Sequence, residues 1–330
     1  MKVALIVADQ AQKYYYDPFV SACEEKGVRL HVLDPTRFPS EAAISIRLDD
    51  SGRVMGFVDV LECHAAGVKE KRLRVEEINT AWYLRASKPV PTTVLSELEA
   101  RFSQNESSRA LDALLSTIEC RWINRKETIR FLESNKLYQQ FIAQKCGLAT
   151  PETLISNDPA SVLALAHEKE DLLLKTLGYT ELDKEGKYFI YSQLFRRDDL
   201  VGQDKAIQAC PVFAQEYVKK RYEYRVMVIG AKVLACRIDS QSSEATRVDW
   251  RHYDFENVEH VQVELPIAIQ RNLLRFMKRV GLQYGAIDLI ETPGGDFVFL
   301  EVNPSGQWEW IVVLAGLPIP QAVADMLATA

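Results

Sequence analysis

The first 33 residues carry the pattern that most restricts the fold. An apolar run occupies residues 3–8, a segment with helical spacing occupies residues 16–26 and stops at Gly27, and a second apolar run follows at residues 29–33. A strand, a helix and a second strand in this order form a crossover unit, so we expect a parallel sheet covered by helices. The first run is far shorter than the roughly 20 residues of a membrane-spanning helix, so we expect no membrane partner.

Length and charge narrow the class of protein further. The chain has 330 residues, which exceeds the roughly 250–300 at which one core stops growing, so we expect two or three domains. It has 40 basic and 46 acidic residues and no basic stripe, which disfavours nucleic acid as a partner. Its six cysteines are dispersed without a C-x-x-C pair, as expected for reduced thiols in the cytoplasm.

Two further segments follow the opening one. Residues 124–210 combine helices at 127–146, a helix begun by Asp158-Pro159, and strands at 172–175 and 188–194, which predicts a small α+β domain. Residues 211–330 are richer in strands, at 212–218, 225–229 and 232–238, with a helix at 266–280 and a final hairpin. The predicted fold class is therefore α/β and α+β, with domains at residues 1–123, 124–210 and 211–330.

The final hairpin, residues 288–303, brings three oxygen-bearing side chains together. If Gly294 and Gly295 are the two central residues of a tight turn, Asp288 lies directly opposite Glu301. Alternation along the second strand then places Asn303 on the same face as Glu301. The residues predicted to point to the core are Val298, Leu300 and Val302.

The charges of Asp288 and Glu301 need a counter-charge. Two carboxylates about 4 Å apart repel by roughly 4 kcal/mol at an effective dielectric constant near 20. A hard divalent cation removes this cost, and oxygen ligands with space for water and phosphate suit Mg²⁺. The hairpin alone is equally compatible with solvated carboxylates, or with carboxylates paired with lysine or arginine.

Residues upstream of the hairpin supply groups that suit a nucleotide. Lys175 ends an aliphatic strand, where its ammonium could reach a phosphate, although an edge lysine can simply extend to water. Residues 214–218, Ala-Gln-Glu-Tyr-Val, indicate a strand that runs into a hinge beside an adenine ring. Glu223 and Arg225 follow at strand spacing and suit ribose hydroxyls and phosphate oxygens, respectively. Taken singly, each is more often an ordinary surface charge.

In this order, the lysine, the hinge, Asp288 and the Glu-x-Asn of residues 301–303 resemble the ATP-grasp superfamily. Longer motifs narrow the resemblance to the microviridin-type peptide ligases, the graspetide synthetases. These motifs are Arg37-Phe-Pro-Ser40, Trp82-Tyr-Leu-Arg85, Trp122-Ile-Asn124, Asn135-Lys136, Gly147-Leu-Ala-Thr-Pro-Glu-Thr-Leu154, Ile238-Asp-Ser-Gln241, Asp249-Trp-Arg251 and Leu300-Glu-Val-Asn-Pro-Ser-Gly-Gln-Trp-Glu-Trp310. They span nearly the whole chain, and Asn-Pro-Ser-Gly-Gln-Trp is the most specific.

The resemblance implies a pre-ATP-grasp domain, a central lid domain and a C-terminal domain in the three predicted segments, with ATP between the last two. It implies phosphate contacts from Lys136 and Lys175, adenine contacts from Glu216, Tyr217 and Val218, and a ribose contact from Glu223. It also implies that Mg²⁺ binds Asp288, Glu301 and Asn303, and that Arg225 and Arg251 face the transferred phosphate or the substrate carboxylate. The loop after Lys175 departs from the pattern, because it lacks the glycine-rich sequence that covers phosphates in many ATP-grasp enzymes.

The implied reaction activates a Glu or Asp side chain of a ribosomal precursor peptide as an acyl phosphate. A Ser or Thr hydroxyl or a Lys amine of the same peptide then closes an ester or amide. The peptide would carry a leader and an acidic, Thr-rich core, with the core held by Asp249 and Arg251 and the leader by Asp198 and Asp199. The enzyme is expected to be a cytoplasmic homodimer.

Two other functions stay open at this level. One is an ATP-grasp ligase that joins a free amino acid or small acid to an amine, and a requirement for a bound peptide separates it from the peptide ligase. The other is a nucleotide-binding regulator without turnover. The intact set of Asp288, Glu301 and Asn303 argues against the regulator, because a protein that only binds a nucleotide would not need it.

Overall fold

The computed structural model describes residues 1–9, 17–178, 192–244, 246–247 and 257–329. The chain divides into two compact units, one of residues 1–127 with 318–330 and the other of residues 128–317. No helix in the described part of the chain is long and apolar enough to cross a membrane. All six cysteines are free thiols, and four of them are buried.

The first unit contains a seven-stranded sheet. Its strands are β1 (Lys2–Val7), β2 (Val28–Leu33), β3 (Ile44–Leu48), β4 (Val54–His64), β5 (Gly67–Arg74), β6 (Thr80–Tyr83) and β7 (Arg121–Trp122). The order is β3-β4-β2-β1-β6-β7, with β5 paired to β4. β1 runs parallel to β2 and β6, and β6 to β7, which confirms the parallel pairing predicted from the first 33 residues. The sheet as a whole is mixed, because β2, β3 and β5 each pair antiparallel with β4.

Three helices belong to this unit: α1 (Asp17–Glu25), α2 (Glu97–Thr117) and the C-terminal helix, residues 319–328. α2 begins at a capping box, because the Ser96 hydroxyl accepts from the Glu99 N–H and the Glu99 carboxylate accepts from the Ser96 N–H. The C-terminal helix contacts α1, and Lys26 Nζ lies 2.6 Å from Asp325 Oδ1. Two short 3₁₀ helices, Pro35–Arg37 and Val75–Glu77, complete the unit.

The second unit begins within α3 (Lys126–Glu133), which is followed by α4 (Lys136–Lys145). A four-stranded antiparallel sheet is formed by β8 (Thr153–Ser156), β9 (Asp171–Lys175), β10 (Gln193–Arg196) and β11 (Val212–Glu216), in the order β10-β9-β11-β8. Its helices are α5 (Pro159–Lys169), α6 (Arg197–Leu200) and α7 (Asp204–Ala209). Asp158 caps α5 by accepting from the Ser161 N–H, as the Asp-Pro pair predicts.

A five-stranded antiparallel sheet completes this unit. Its strands are β12 (Tyr222–Ile229), β13 (Lys232–Ile238), β14 (His260–Val263), β15 (Tyr284–Glu291) and β16 (Phe297–Asn303), in the order β14-β13-β12-β15-β16. Two more helices are α8 (Ile267–Val280) and α9 (Glu309–Ala315), so the C-terminal helix is α10 (Ile319–Ala328). α4 and α8 pack on one face of the sheet over a core that includes Phe276, Met277, Ile287 and Phe299. Polar side chains, among them Glu223, Asp288 and Glu301, lie on the opposite face of the five-stranded sheet.

The helix pair predicted at residues 127–146 corresponds to α3 and α4. The strand predicted at 188–194 lies partly outside the described residues, and its described part is β10, Gln193–Arg196. β11 ends at Glu216 instead of 218, and it pairs with β8 and β9 although the predicted boundary at residue 211 separates them. The three-domain division therefore stays a prediction.

Candidate functional site

The turn of the final hairpin has three residues, Pro293–Gly295, between the paired positions Thr292 and Asp296. The Thr292 N–H donates to the Asp296 carbonyl and the Gly295 N–H to the Thr292 carbonyl, both at 2.9 Å. Gly295 has φ +89°, the left-handed conformation that closes three-residue hairpin loops. The predicted two-residue turn centred on Gly294 and Gly295 is therefore wrong.

The predicted pairing of Asp288 with Glu301 is nevertheless confirmed. Near the turn the register pairs Leu289 with Phe299, and it shifts between Asp288 and Leu289. The shift is a β-bulge, and the extra residue is Leu300. A three-residue turn with a regular ladder would have placed Leu300 opposite Asp288, so the bulge restores the carboxylate pair.

The bulge also changes which residues of β16 face the core. Phe299 and Val302 belong to the buried cluster, whereas Leu300 lies on the polar side of the sheet. Val298 pairs with Ile290, which is on that polar side as well. The predictions that Leu300 and Val298 share the core face of Val302 are therefore wrong, because a bulge reverses the alternation on one side of itself.

A cleft lies between the polar side of the five-stranded sheet and the four-stranded sheet. It encloses about 660 Å³ of empty space, including its open mouth. The residues that line it are Pro151, Leu173, Lys175, Ser192, Gln215, Glu216, Tyr217, Val218, Lys220, Glu223, Asp288, Ile290, Leu300 and Glu301. Seven of the predicted site residues, from three separate regions of the chain, thus share one cavity wall.

Cations face both carboxylates of the hairpin. Arg225 Nη1 lies 2.9 Å from Asp288 Oδ1 and 3.1 Å from Oδ2. Lys136 Nζ, at the start of α4, lies 3.0 Å from Glu301 Oε2. Asn303 donates its amide to Asp288 Oδ2 at 3.3 Å. The repulsion expected between the two carboxylates is thus offset by one guanidinium and one ammonium.

The donor set of Asp288, Glu301 and Asn303 fits a divalent cation. All three can offer oxygen, and none offers the sulfur or imidazole that softer metals prefer. No group of three or more His, Cys, Asp or Glu suited to a metal occurs within the described residues. A cation held by the hairpin would therefore complete its shell with water or phosphate oxygens, which is typical of Mg²⁺.

Arg225 is held by the loop that follows β16. Its Nη2 donates to the Gln307 carbonyl at 3.4 Å, and its side chain is only 8% exposed. A Cβ at Gly306 would lie 2.8 Å from Arg225 Nη2 and would overlap Ala286 Cβ. The Tyr284 hydroxyl anchors the loop by donating to the Gly306 carbonyl at 2.5 Å. Glycine at 306 lets the backbone cover the guanidinium closely.

Two successive side-chain hydrogen bonds across the four-stranded sheet orient Lys175. Its Nζ donates to Gln215 Oε1 at 2.7 Å, and Gln215 Nε2 donates to Thr153 Oγ1 at 3.1 Å. Gln215 is 1% exposed, so this geometry is sheltered from water. Gln215 lies within the hinge motif of residues 214–218, and the motif alone predicted no role for it.

The hinge between β11 and β12 forms one end of the cleft. Its backbone is tied to neighbouring strands, since the Glu216 N–H donates to the Glu152 carbonyl at 2.9 Å and the Tyr217 N–H to the Asp171 carbonyl at 3.1 Å. Burial, and then the nearby charges of Glu223 and Asp171, raises the pKa of Tyr217. The Tyr217 phenol, which is neutral at pH 7 even with an ordinary pKa near 10, therefore stays neutral to a still higher pH.

Sequence reasoning missed Lys220. Its Nζ lies 2.7 Å from Glu223 Oε1, and the side chains of the two residues are 6% and 7% exposed. The adjacent Lys219 is exposed and does not line the cleft. The three-residue spacing between Lys220 and Glu223 was the available signal, but it does not show which of two consecutive lysines points inward.

Several predicted site residues do not line the cleft. Lys136, Arg225 and Asn303 contact Asp288 or Glu301 but are not part of the cavity wall. Asp198 and Asp199 lie in α6, exposed, and Asp199 Oδ2 accepts from the Arg196 N–H at 2.8 Å. Neither of them lines the cavity. Asp249 and Arg251 lie outside the described residues.

Solved structures similar to this chain share its architecture from end to end. A RiPP-associated ATP-grasp ligase of Chryseobacterium gregarium, in complex with ADP and a leader and core peptide, is 25% identical, with a TM-score of 0.87 over 100% of this chain and 97% of that one. The macrocyclase MdnB of Microcystis aeruginosa MRC is 26% identical, with a TM-score of 0.77 and 100% of both chains covered. The ATP-grasp ligase PsnB, complexed with a phosphomimetic variant of a minimal precursor, Mg and ADP, is 20% identical, with a TM-score of 0.75 over 100% of this chain and 99% of that one, and shares the fold.

No protein-family model matches the sequence, and no curated protein does. The fold and the cleft nevertheless define an ATP-grasp ligase, so the predicted fold and the predicted class of enzyme are confirmed. Within that class, the solved structures that are 25% and 26% identical to this chain are a RiPP-associated ligase and a macrocyclase, which supports the predicted resemblance to the graspetide synthetases.

Proposed function

We propose that this ligase uses ATP and Mg²⁺ to close side-chain ester or amide links within a ribosomal precursor peptide. The observation that carries the proposal is the cleft itself, in which the facing carboxylates of Asp288 and Glu301 lie in the same cavity wall as Lys175 and the hinge. Such a cavity can hold a nucleotide at the hinge end and its phosphates at the carboxylate end.

The nucleotide is proposed to lie along the cavity wall. Adenine would contact the hinge, Glu216 to Val218 with Tyr217 between them, and the ribose hydroxyls would donate to Glu223. Lys175 and Lys136 would meet phosphate oxygens. Their positions support these roles, because Lys175 lines the cleft and Lys136 reaches Glu301 from α4.

Mg²⁺, when bound, would neutralise phosphate charge and hold the transferred group in place. Asp288, Glu301 and Asn303 are the residues proposed to hold it. Arg225 would then have a second role, because a guanidinium beside Asp288 can also donate hydrogen bonds to oxygens of the transferred phosphoryl group. Its burial under the loop at Gly306 supports a fixed position during turnover.

The proposed reaction has two steps. A carboxylate oxygen of the peptide attacks the γ-phosphorus of ATP, the bond to the β-phosphate oxygen breaks, and ADP leaves. A hydroxyl or amine of the same peptide then attacks the acyl carbon, loses its proton, and displaces inorganic phosphate. The enzyme's contribution is positioning and charge neutralisation, with Arg251 proposed to orient the incoming carboxylate and Asp249 to support it.

The proposed partner is a peptide with a leader and an acidic, Thr-rich core. Asp198 and Asp199 are proposed to meet basic residues of the leader, which their exposure outside the cleft permits. We further propose that the enzyme acts as a homodimer in the cytoplasm. Size measurement by light scattering tests the dimer directly.

The function is tested by incubating the protein with Mg²⁺, ATP and a short Thr/Glu/Asp-rich peptide encoded beside its gene. The expected result is peptide-dependent ADP formation and loss of one water per linkage from the peptide mass. A peptide with each core Glu and Asp changed to Gln and Asn is the matched control and should stay unmodified. ADP formation with free amino acids and no peptide would favour the small-acid ligase instead.

A further inference from the structure

A lysine is buried in the wall of the cleft. Lys220 follows the hinge, its side chain is 6% exposed, and its Nζ lies 2.7 Å from Glu223 Oε1. Both residues line the cavity. Lysine is among the residues least often buried, and its burial almost always requires a partner.

Stability alone does not account for this pair. Burying two charges costs desolvation that their attraction only partly offsets, and apolar residues of similar volume often stabilise a fold as well. A buried ion pair is therefore weak evidence for a structural role. Its place in a ligand cavity points to a role in binding.

The chain holds Lys220 in position from both sides. The Tyr217 N–H donates to the Asp171 carbonyl at 3.1 Å, and the Arg221 N–H donates to the Glu291 carbonyl at 2.7 Å. Lys220 thus lies in a short segment anchored at both ends. Lys219, in the same segment, is exposed, so only one of the two ammonium groups is directed into the cleft.

We infer that Lys220 is a positioning residue for the nucleotide, because its ammonium holds the Glu223 carboxylate in one orientation for the ribose hydroxyls. The inference rests on the proposed function, in which Glu223 accepts from the ribose. An ionised carboxylate is a stronger acceptor for hydroxyl donors than a neutral acid. Without the ammonium, the Glu223 carboxylate loses the 2.7 Å contact that fixes its orientation.

The test measures nucleotide binding directly, by calorimetry with Mg²⁺ and either ATP or 2′,3′-dideoxy-ATP, which lacks both ribose hydroxyls. Lys220→Met should weaken ATP binding roughly tenfold to a hundredfold, the range expected when charge-assisted hydrogen bonds are lost. The same variant should bind dideoxy-ATP about as the unmodified enzyme does. Lys219→Met is the matched control and should bind both nucleotides normally.

A double variant separates positioning from a merely structural effect. Lys220→Met/Glu223→Gln removes both charges and should match Glu223→Gln alone, since Lys220 acts through Glu223. The double variant also keeps the test informative if the single variant does not fold.

Equal weakening of ATP and dideoxy-ATP by Lys220→Met would overturn the inference, as would the same loss in Lys219→Met. If the unmodified enzyme binds neither nucleotide, the proposed function fails. If it binds ATP and Lys220→Met behaves like the control, only the role of Lys220 fails.

Discussion

Asp288 and Glu301 lie opposite each other on β15 and β16 because Leu300 is bulged between them and the hairpin turn. Phe299 is next to the bulge. Its N–H donates to the carbonyl of Ala149, which lies outside the hairpin, at 2.8 Å. The carboxylate pair in the cleft therefore depends on a contact with a segment far away in the sequence.

Asp288→Asn and Glu301→Gln should each lower peptide-dependent ADP formation by about a hundredfold or more, the usual cost of removing a group that stabilises transition-state charge. Circular dichroism should change little, because each replacement keeps the shape of the side chain, whereas Asp288→Asn should lower the unfolding midpoint because it leaves the buried Arg225 without its counter-charge. Asp296→Asn, in the exposed part of the same hairpin, is the control and should retain activity. Normal turnover in Asp288→Asn would contradict the metal assignment.

Gly295→Ala should lower the free energy of unfolding by about 1–3 kcal/mol, because Gly295 has φ +89° and a side chain there strains the backbone. Gly294→Ala is the matched control, since φ at 294 is not in the left-handed region and a Cβ there meets only ordinary contacts at 3.6 and 3.7 Å. Urea denaturation measures both. Equal destabilisation would show that the three-residue turn is not as described.

Arg225→Lys should lower turnover by about tenfold to a hundredfold, because a single ammonium cannot replace the two guanidinium nitrogens, of which Nη1 contacts Asp288 and Nη2 the Gln307 carbonyl. Arg237→Lys is the control, since Arg237 lies on the neighbouring strand β13 and pairs with the exposed Glu259. Steady-state kinetics with saturating ATP and peptide give the comparison. An unchanged kcat in Arg225→Lys would remove this residue from the catalytic set.

His31 should make the stability of the first unit depend on pH. Its side chain is fully buried in β2, and burial, together with the charge of Lys71, lowers its pKa to about 4 despite the opposing effect of Glu62. In the unfolded chain it binds a proton near pH 6.5. Between these values the unfolded state holds more protons, so stability is lost as pH falls through this range.

The expected loss between pH 7 and pH 5 is about 2 kcal/mol, at about 1.4 kcal/mol per pKa unit. His31→Met should remove most of this dependence, whatever its own stability at pH 7. His64→Gln, on the adjacent strand β4, should leave the dependence in place. Urea unfolding monitored at both pH values distinguishes the two variants, and a pH profile unchanged by His31→Met would refute the neutral buried histidine.

Much of this architecture follows from local pattern. Apolar runs separated by helical spacing predicted the crossover at the N-terminus, and Asp158-Pro159 predicted the start of α5. Several polar residues of the cleft could also be predicted from the sequence. A lysine at the end of a strand and a Glu-x-Asn strand are patterns that span only a few residues. Such features form through contacts between near neighbours in the chain.

The carboxylate pair shows the limit of local reasoning. The pair was predicted correctly from a two-residue turn and a regular ladder, and both premises are wrong, because a three-residue turn and a bulge at Leu300 compensate each other. The assignment of Leu300 to the core failed with them. A bulge costs little locally, so packing against the segment at Ala149 decides where it lies.

The sequence by itself predicted the opening crossover, the start of α5 and the set of groups that we propose to hold a nucleotide and Mg²⁺. Only the tertiary structure decided that Lys220 is buried while Lys219 is exposed, that Gln215 orients Lys175, and that Gly306 covers Arg225. The physical reason is that burial and side-chain pairing depend on which distant strands meet. Neighbours in the sequence do not carry that information.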